Sequence, residues 1–239
     1  MALSGVTTWQ LTLTQIVDAA LRKISMIGDG VTATTTQKTA ATQALNAMLK
    51  SFASKGMPLW QISEYSFPLT ATRSYSIGIG QTLAVPAPLK IIQAYQKDTT
   101  AIDSVPLNIV THYDYNEMLP TSTNTGTPVN LLYLPGNQVG TIKIWPMPDA
   151  YSIANRQITI TYQTPVQDMV SDTDNLDFPQ NWTEAIIYGL AWRLAPEYGV
   201  PPNDLKAMAN TAQLFLDDAL SFGTEEGSIT FMPDWVGRR

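Results

Sequence analysis

The sequence contains no cysteine. That removes disulfides, thiolate zinc sites and cysteine nucleophiles together. Charge is also scarce: only 14% of residues are Asp, Glu, Lys or Arg, against roughly 25% in an average globular protein. Thr, Asn, Gln and Ser must then supply much of the surface, which suits a chain packed against neighbours. Basic residues are the scarcer sign, 14 against 20 acidic, for a net charge of −6. Counterion release on DNA needs clustered Lys and Arg, and no such block occurs, so sequence-specific DNA binding is not expected. A polyanion can still pass such a surface without adhering. No apolar run reaches the ~18 residues of a membrane span. The opening Met1-Ala2-Leu3-Ser4-Gly5 lacks the charged and apolar regions of a signal peptide. A soluble protein made in the cytoplasm, with no membrane partner, is the expectation.

Catalytic signals are equally thin. His112 is the only histidine; Asp114 lies two residues on, but a general base needs a positioned partner, and a surface or loop role is the simpler reading. No nucleophile elbow of the Gly-x-Ser-x-Gly type occurs. Asp168, Asp172, Asp174 and Asp177 faintly suggest a calcium loop. The closing bidentate Glu and the sharp-turn Gly are missing, so a solvated loop whose last aspartate caps a helix is preferred. Gly28-Asp29-Gly30 has no Lys-Ser or Lys-Thr where a phosphate loop needs one, and reads as a helix stop. A glycosidase needs two facing carboxylates. Glu64, Glu117, Glu184 and Glu197 are available for a wall-cutting peptidoglycan hydrolase, which stands as the enzymatic alternative. No cofactor or metal ligand set is expected.

What is present is 44% apolar residues, arranged in two rhythms. Leu13, Ile16, Ala20, Ile24 and Ile27 recur at helical spacing and predict a helix from Thr12 to the Gly28 stop, with Arg22 and Lys23 at the end that favours cations. The Thr-rich stretch 32–36 offers N-caps for a second helix, which buries Ala41, Ala44, Leu45, Met48, Leu49 and Phe52 and ends at Gly56. From Pro58 the character changes. Strands are predicted at 65–67, 74–77, 89–95, 131–134, 141–145 and 157–162, a hairpin at Pro135-Gly136-Asn137-Gln138, and a short helix at 113–119. Helix returns near Phe178, capped by Asp177 with Pro179 in its first turn, and ends at Pro196 and Gly199. Trp182, Ala185, Ile186, Ile187, Leu190, Ala191, Trp192 and Leu194 leave few polar positions and predict a helix buried on more than one side. A last helix follows Pro201-Pro202, capped by Asn203 or Asp204, with Leu205, Met208, Ala212, Phe215, Ala219 and Phe222 as its stripe.

These elements predict an α+β chain: an antiparallel four-helix bundle built from N- and C-terminal helices (1–60 and 176–223), with an inserted antiparallel β lobe (61–175). Residues 224–239 would form an extended C-terminal arm. Ile229 and Phe231 alternate with polar residues as in a short strand, and Met232, Trp235, Arg238 and Arg239 are of the types enriched at binding hot spots. Such a tail either folds back on its own domain or docks on a neighbour, for instance by adding a strand; docking is the favoured reading.

Three stretches carry a family likeness. The first is Gln15-Ile16-Val17-Asp18-Ala19-Ala20-Leu21-Arg22-Lys23-Ile24, continued by Ala44-Leu45-Asn46-Ala47-Met48-Leu49 and Lys55-Gly56-Met57-Pro58-Leu59-Trp60. The second is Gly126-Thr127-Pro128 with Gly140-Thr141-Ile142-Lys143-Ile144-Trp145-Pro146-Met147-Pro148. The third is Leu176-Asp177-Phe178-Pro179 with Leu194-Ala195-Pro196-Glu197-Tyr198-Gly199. On these the chain resembles the head-to-tail adaptor, or tail accessory factor, family of short-tailed bacteriophages, which includes the packaged-DNA stabilisation proteins. The resemblance implies a virion structural protein and not an enzyme. It implies a ring, a dodecamer, bound beneath the portal protein, presenting its other face to tail proteins such as a nozzle or fibres. Double-stranded DNA would pass through the ring without sequence-specific binding. By position, the arm carrying Ile229 to Trp235 would reach the portal. A tail-tube or baseplate subunit is the non-enzymatic alternative.

Overall fold

Three helices open on the same short pattern, a Thr followed three residues later by a side chain that returns its hydrogen bond. In the computed structural model, which describes residues 9–54, 59–99, 104–118 and 124–222, α1 (Leu13–Lys23) begins with Thr12 and Gln15 in a reciprocal capping box. At α2 (Thr35–Ser54), Thr34 Oγ1 accepts from the Gln37 N–H at 3.4 Å, and Gln37 Oε1 accepts from the Thr34 N–H at 2.9 Å. At α3 (His112–Met118), Thr111 and Asp114 make the same exchange. Each box satisfies two of the N–H groups that a helix start leaves without internal partners.

The helix predicted to run to Gly28 stops five residues earlier. Ser25 takes a left-handed conformation, φ 59°, its N–H donates to the Arg22 carbonyl at 3.0 Å, and the Met26 N–H reaches back to the Leu21 carbonyl at 3.0 Å. This is the Schellman closure, achieved with serine where glycine is usual. Pro201-Pro202 also behaves differently from expectation: α6 (Pro202–Phe222) includes Pro202 as its first residue, where its missing N–H costs nothing. Asn203 and Asp204 therefore lie in the first turn and do not cap it. Before α5 (Thr183–Leu194) comes a 3-10 turn, Gln180–Trp182, with Pro179 at its cap position. Asp177 does not cap this helix; its carboxylate accepts the Gln167 N–H at 3.4 Å. The expected stop after α5 is made by Gly199, φ 71°.

The fold expectation itself needs correction. The chain is a mixed α/β protein with six α-helices and ten strands in three sheets among the described residues, about 40% helix and 26% strand. It is not an antiparallel four-helix bundle carrying one antiparallel lobe. One sheet has the order β1 (Ile62–Pro68), β10 (Arg156–Gln163), β3 (Lys90–Asp98), β4 (Ser104–Pro106), all antiparallel. The second runs β2 (Ser74–Ile77), β8 (Gly140–Trp145), β7 (Asn130–Leu134), β5 (Asn108–Ile109), and its β5–β7 pair is parallel. The third is a parallel pair, β6 (Thr125–Gly126) with β9 (Met147–Pro148). Strands of two or three residues show no alternation, so no sequence period announces them. The helix α4 (Ala150–Asn155), capped by Asp149, lies within the strand region as well.

Two hydrophobic clusters result. In the first, α5 packs against α1, α2 and α6, with Ile16, Leu21, Leu45, Met48, Ile186 and Leu190 fully buried. The second takes Phe67, Ile91, Ile158 and Ile160 from one four-stranded sheet and Tyr75, Ile77, Leu131, Ile142 and Ile144 from the other. Val166, Met169 and Leu176 follow β10 in sequence yet belong to the helical cluster.

Ser25→Gly relieves the left-handed strain at the end of α1 and is expected to add about 1 kcal/mol of stability, raising Tm by roughly 2–4 °C. Calorimetry of the two proteins checks it; an unchanged or lower Tm would contradict the closure described.

Candidate docking interface

The four aspartates whose spacing suggests a calcium loop are engaged in holding the chain together. Residues 164–178 form a strap across α1 and α2. Asp168 pairs with Lys50 at 2.9 Å and Asp172 with Lys38 at 3.2 Å. The Asp174 carboxylate accepts the Ser171 and Val170 N–H groups at 2.7 and 2.8 Å. These backbone donors, Ser171 foremost, hold its pKa below the ordinary aspartate value. With Asp177 on Gln167, the four aspartates of the apparent calcium loop each have a separate partner. Among the described residues no cluster of three or more His, Asp or Glu could hold a metal ion.

The strap in turn completes α1. Its Asp174 carbonyl accepts the Leu13 N–H at 2.9 Å, and its Asp172 carbonyl accepts the Thr14 N–H at 3.4 Å and hydroxyl at 3.2 Å. Asn46 of α2 grips the strap from the other side: its amide Nδ2 donates to the Met169 carbonyl and its Oδ1 accepts the Met169 N–H, both at 2.9 Å. Asp18 is a second buried anchor, accepting the Ala33 N–H at 2.8 Å ahead of α2.

His112 and Asp114 do not form a dyad. The Asp114 carboxylate takes the Thr111 hydroxyl at 2.7 Å, and the His112 ring contacts the Asn116 amide at 3.0 Å on an exposed helix turn. The four glutamates lie on different parts of the chain. Glu64 is on β1 and accepts from Thr161, and Glu117 is in α3. Glu184 begins α5 and Glu197 follows its end, about 20 Å along the axis at helical rise. Glycosidase carboxylates stand roughly 5–9.5 Å apart; this pair does not meet that geometry.

The surface instead offers two apolar depressions, on different parts of the chain. One, about 310 Å³, lies between α5 and α6 with Met48 and Phe52 of α2 beneath it. Gly189, Ala209 and Ala212 keep its walls low, and Trp192, 41% exposed, stands at its rim. The second, about 620 Å³, is formed where the segment after β2 meets the β7–β8 hairpin. Ile79 (82% exposed), Leu89 and Val139 surround it, and no lining residue is charged. Gly78 allows the two loops to meet: a Cβ there would lie 2.7 Å from the Gln138 carbonyl oxygen. Sequence periodicity missed both depressions. The second had a signal, since residues 78–89 and 118–142 contain no Asp, Glu, Lys or Arg. The first had none, because its residues come from three helices.

Phe222, expected at the end of the buried α6 stripe, is 81% exposed; the buried positions of that helix are Ala212, Leu216 and Ala219. The arm residues Ile229, Phe231, Met232, Trp235, Arg238 and Arg239 lie outside the described residues. No described helix is long and apolar enough to cross a membrane.

Replacing Asn46 with Ala strips both partners from the buried Met169 backbone and is expected to cost about 2 kcal/mol, lowering Tm by roughly 4–8 °C. Thermal melts of the two proteins read this directly. For Asp174, the stabilising contribution is full above the ordinary aspartate pKa and is lost as pH falls through the depressed one. Asp174→Asn is therefore expected to flatten the acid side of the Tm-against-pH curve, and an unaltered curve would contradict that role.

Against known proteins, a family model described as SU10 adaptor protein matches residues 11–229. No curated protein matches the chain.

Proposed function

The chain belongs to the SU10 adaptor protein family, a family of phage structural adaptors, and from that membership we propose that it is the head-to-tail adaptor of a short-tailed phage. As an adaptor it is a virion component with portal and tail proteins as its general class of partner. In the proposed assembly, subunits form a twelve-membered ring beneath the portal, extend the DNA channel, help retain the packaged DNA and offer a platform to the tail. Residues 224–239, with Ile229, Phe231, Met232, Trp235, Arg238 and Arg239, form the arm that reaches the portal.

The observation that carries this reading is the match over residues 11–229, which spans the helical elements and the sheets alike. Its physical support is the pair of apolar depressions left uncovered among the described residues, one on the helices and one on the β loops. An adaptor needs contact surfaces for more than one neighbour, and apolar patches rimmed by polar residues are what such contacts use. The scarcity of charge agrees with a conduit that lets DNA slide: with few clustered cations there is little counterion release to hold the polyanion. A mechanical and interfacial role, without catalysis, follows from the same reading. In it the proposed division of the chain is a helical body, a β-rich lobe and the arm.

The test is the native mass of the purified protein alone and after mixing with portal rings. The expected outcome is a stable complex with about one copy per portal subunit. Deleting residues 228–239 is expected to weaken that complex by at least tenfold in Kd, which at ~1.4 kcal/mol per decade needs only one good apolar anchor per arm. Tubes formed by the chain alone, without portal, would instead indicate a tail-tube or baseplate subunit.

A further inference from the structure

The groove between α5 and α6 is mostly apolar, with Arg193, Asn210 and Gln213 as its polar lining, and is uncovered among the described residues; the sequence that follows α6 has the length and pattern to fill it. We infer that residues 228–235 of the same chain fold back antiparallel to α6 and seat Phe231 in this groove. The inference rests on the reading of the tail as an arm but not on what that arm later binds.

Three observations support it. The first is reach. The described part of α6 runs to Phe222, and Leu216 and Gln213, which line the groove, lie about 9 and 14 Å back along the helix at 1.5 Å per residue. Residues 223–227, Gly-Thr-Glu-Glu-Gly, place a glycine at each end of a reversal, the residue type that tight reversals favour. An extended chain leaving Gly227 at ~3.3 Å per residue brings Phe231 about 13 Å back, level with Leu216 to Gln213.

The second is pattern. In an extended chain Ile229 and Phe231 point to one side and Ser228, Thr230 and Met232 to the other. The groove supplies low walls at Gly189, Ala209 and Ala212, with Trp192 at the rim, which leaves room for an aromatic ring from above. The third is charge. The same count puts Asp234 about 23 Å back, level with Lys206 at about 24 Å. Lys206 is exposed and lies three and four residues before Ala209 and Asn210, on the ridge that borders the groove. Stored this way, Ile229 and Phe231 are withheld from any partner until the arm is released.

The absence of native cysteine makes the test clean. Thr230→Cys with Gln213→Cys is treated, at low protein concentration, with a short bismaleimide, and the products are separated by denaturing mass analysis. The expected result is a cross-link within one chain in most molecules. Adding Ile229→Ala and Phe231→Ala should cut that yield at least fivefold, and Thr230→Cys with Gln138→Cys, on the β7–β8 loop, should give little. Cross-linked dimers in place of monomers would overturn the inference in favour of docking on a second copy. A yield matching the Gln138 control, or unmoved by the two alanines, would overturn it outright. Portal binding is measured separately on the unlinked protein, so failure of the storage contact and failure of the adaptor reading give different results.

Discussion

The chain passes between its two hydrophobic clusters twice, at Gln61 and at Gln163, and the passages lie side by side. β1 and β10 pair from Ile62 with Gln163 through Pro68 with Gln157. Beneath the first pair, the Gln61 carbonyl accepts both the N–H and the hydroxyl of Thr164, at 2.8 and 3.0 Å, and its side-chain oxygen accepts from the Gln163 amide at 2.7 Å. Trp60, Phe178, Trp182 and Phe52 gather next to this crossing, with ring centroids 4.8 to 6.3 Å apart. The two strands that lead into the sheets are thus also each other's hydrogen-bonding partners. The placement of every sheet relative to the helices is inherited from this double crossing, and a single-stranded linker would give no such constraint.

Beyond the crossing, several of the chain's few charges are used internally. Lys38, Lys50 and Arg156 pair with Asp172, Asp168 and Asp98, and Asp18 and Asp174 accept backbone N–H groups. The exposed apolar residues at the two depressions are Trp192 at one and Ile79, Leu89 and Val139 at the other. Contacts built from such residues depend on shape and apolar area more than on charge, and salt screens them little. That is consistent with a family of structural adaptors.

The parts of the fold legible in sequence are those whose information is local. The stripes of α1, α2, α5 and α6 and the alternation in β2, β8 and β10 are properties of short windows, and they place these elements to within a few residues. The T-x-x-Q boxes at Thr12 and Thr34 are equally local, and the cap at Thr34 falls within the Thr-rich stretch expected to supply it. The mixed character of the sheets was not legible, because pairing of Asn108 with Asn130 or Thr125 with Met147 depends on chain distant in sequence. The aspartates of the strap show the same limit from the other side. Their spacing suggests a ligand loop, while the partners of Asp172 and Asp168, Lys38 and Lys50 on α2, are more than a hundred residues away in the chain. The exposure of Phe222 was missed because a stripe tells which residues share a face, not how far the neighbouring helix extends.

The grip of Asn46 on Met169 engages main-chain atoms alone, and the strap's own carbonyls, not its side chains, cap the start of α1. A backbone carbonyl or N–H is the same in nearly every amino acid. Freedom to vary is therefore unevenly shared between the two sides of this contact. Exposed strap positions such as Val170 and Thr173 can accept many residue types without disturbing it, whereas position 46 needs a side chain that presents a donor and an acceptor on separate atoms to the Met169 carbonyl and N–H, a requirement Asn meets and Ala, Leu or an ionised Asp does not. A library randomised over both segments and selected for folding would keep Asn46 almost fixed while the strap diversified around it.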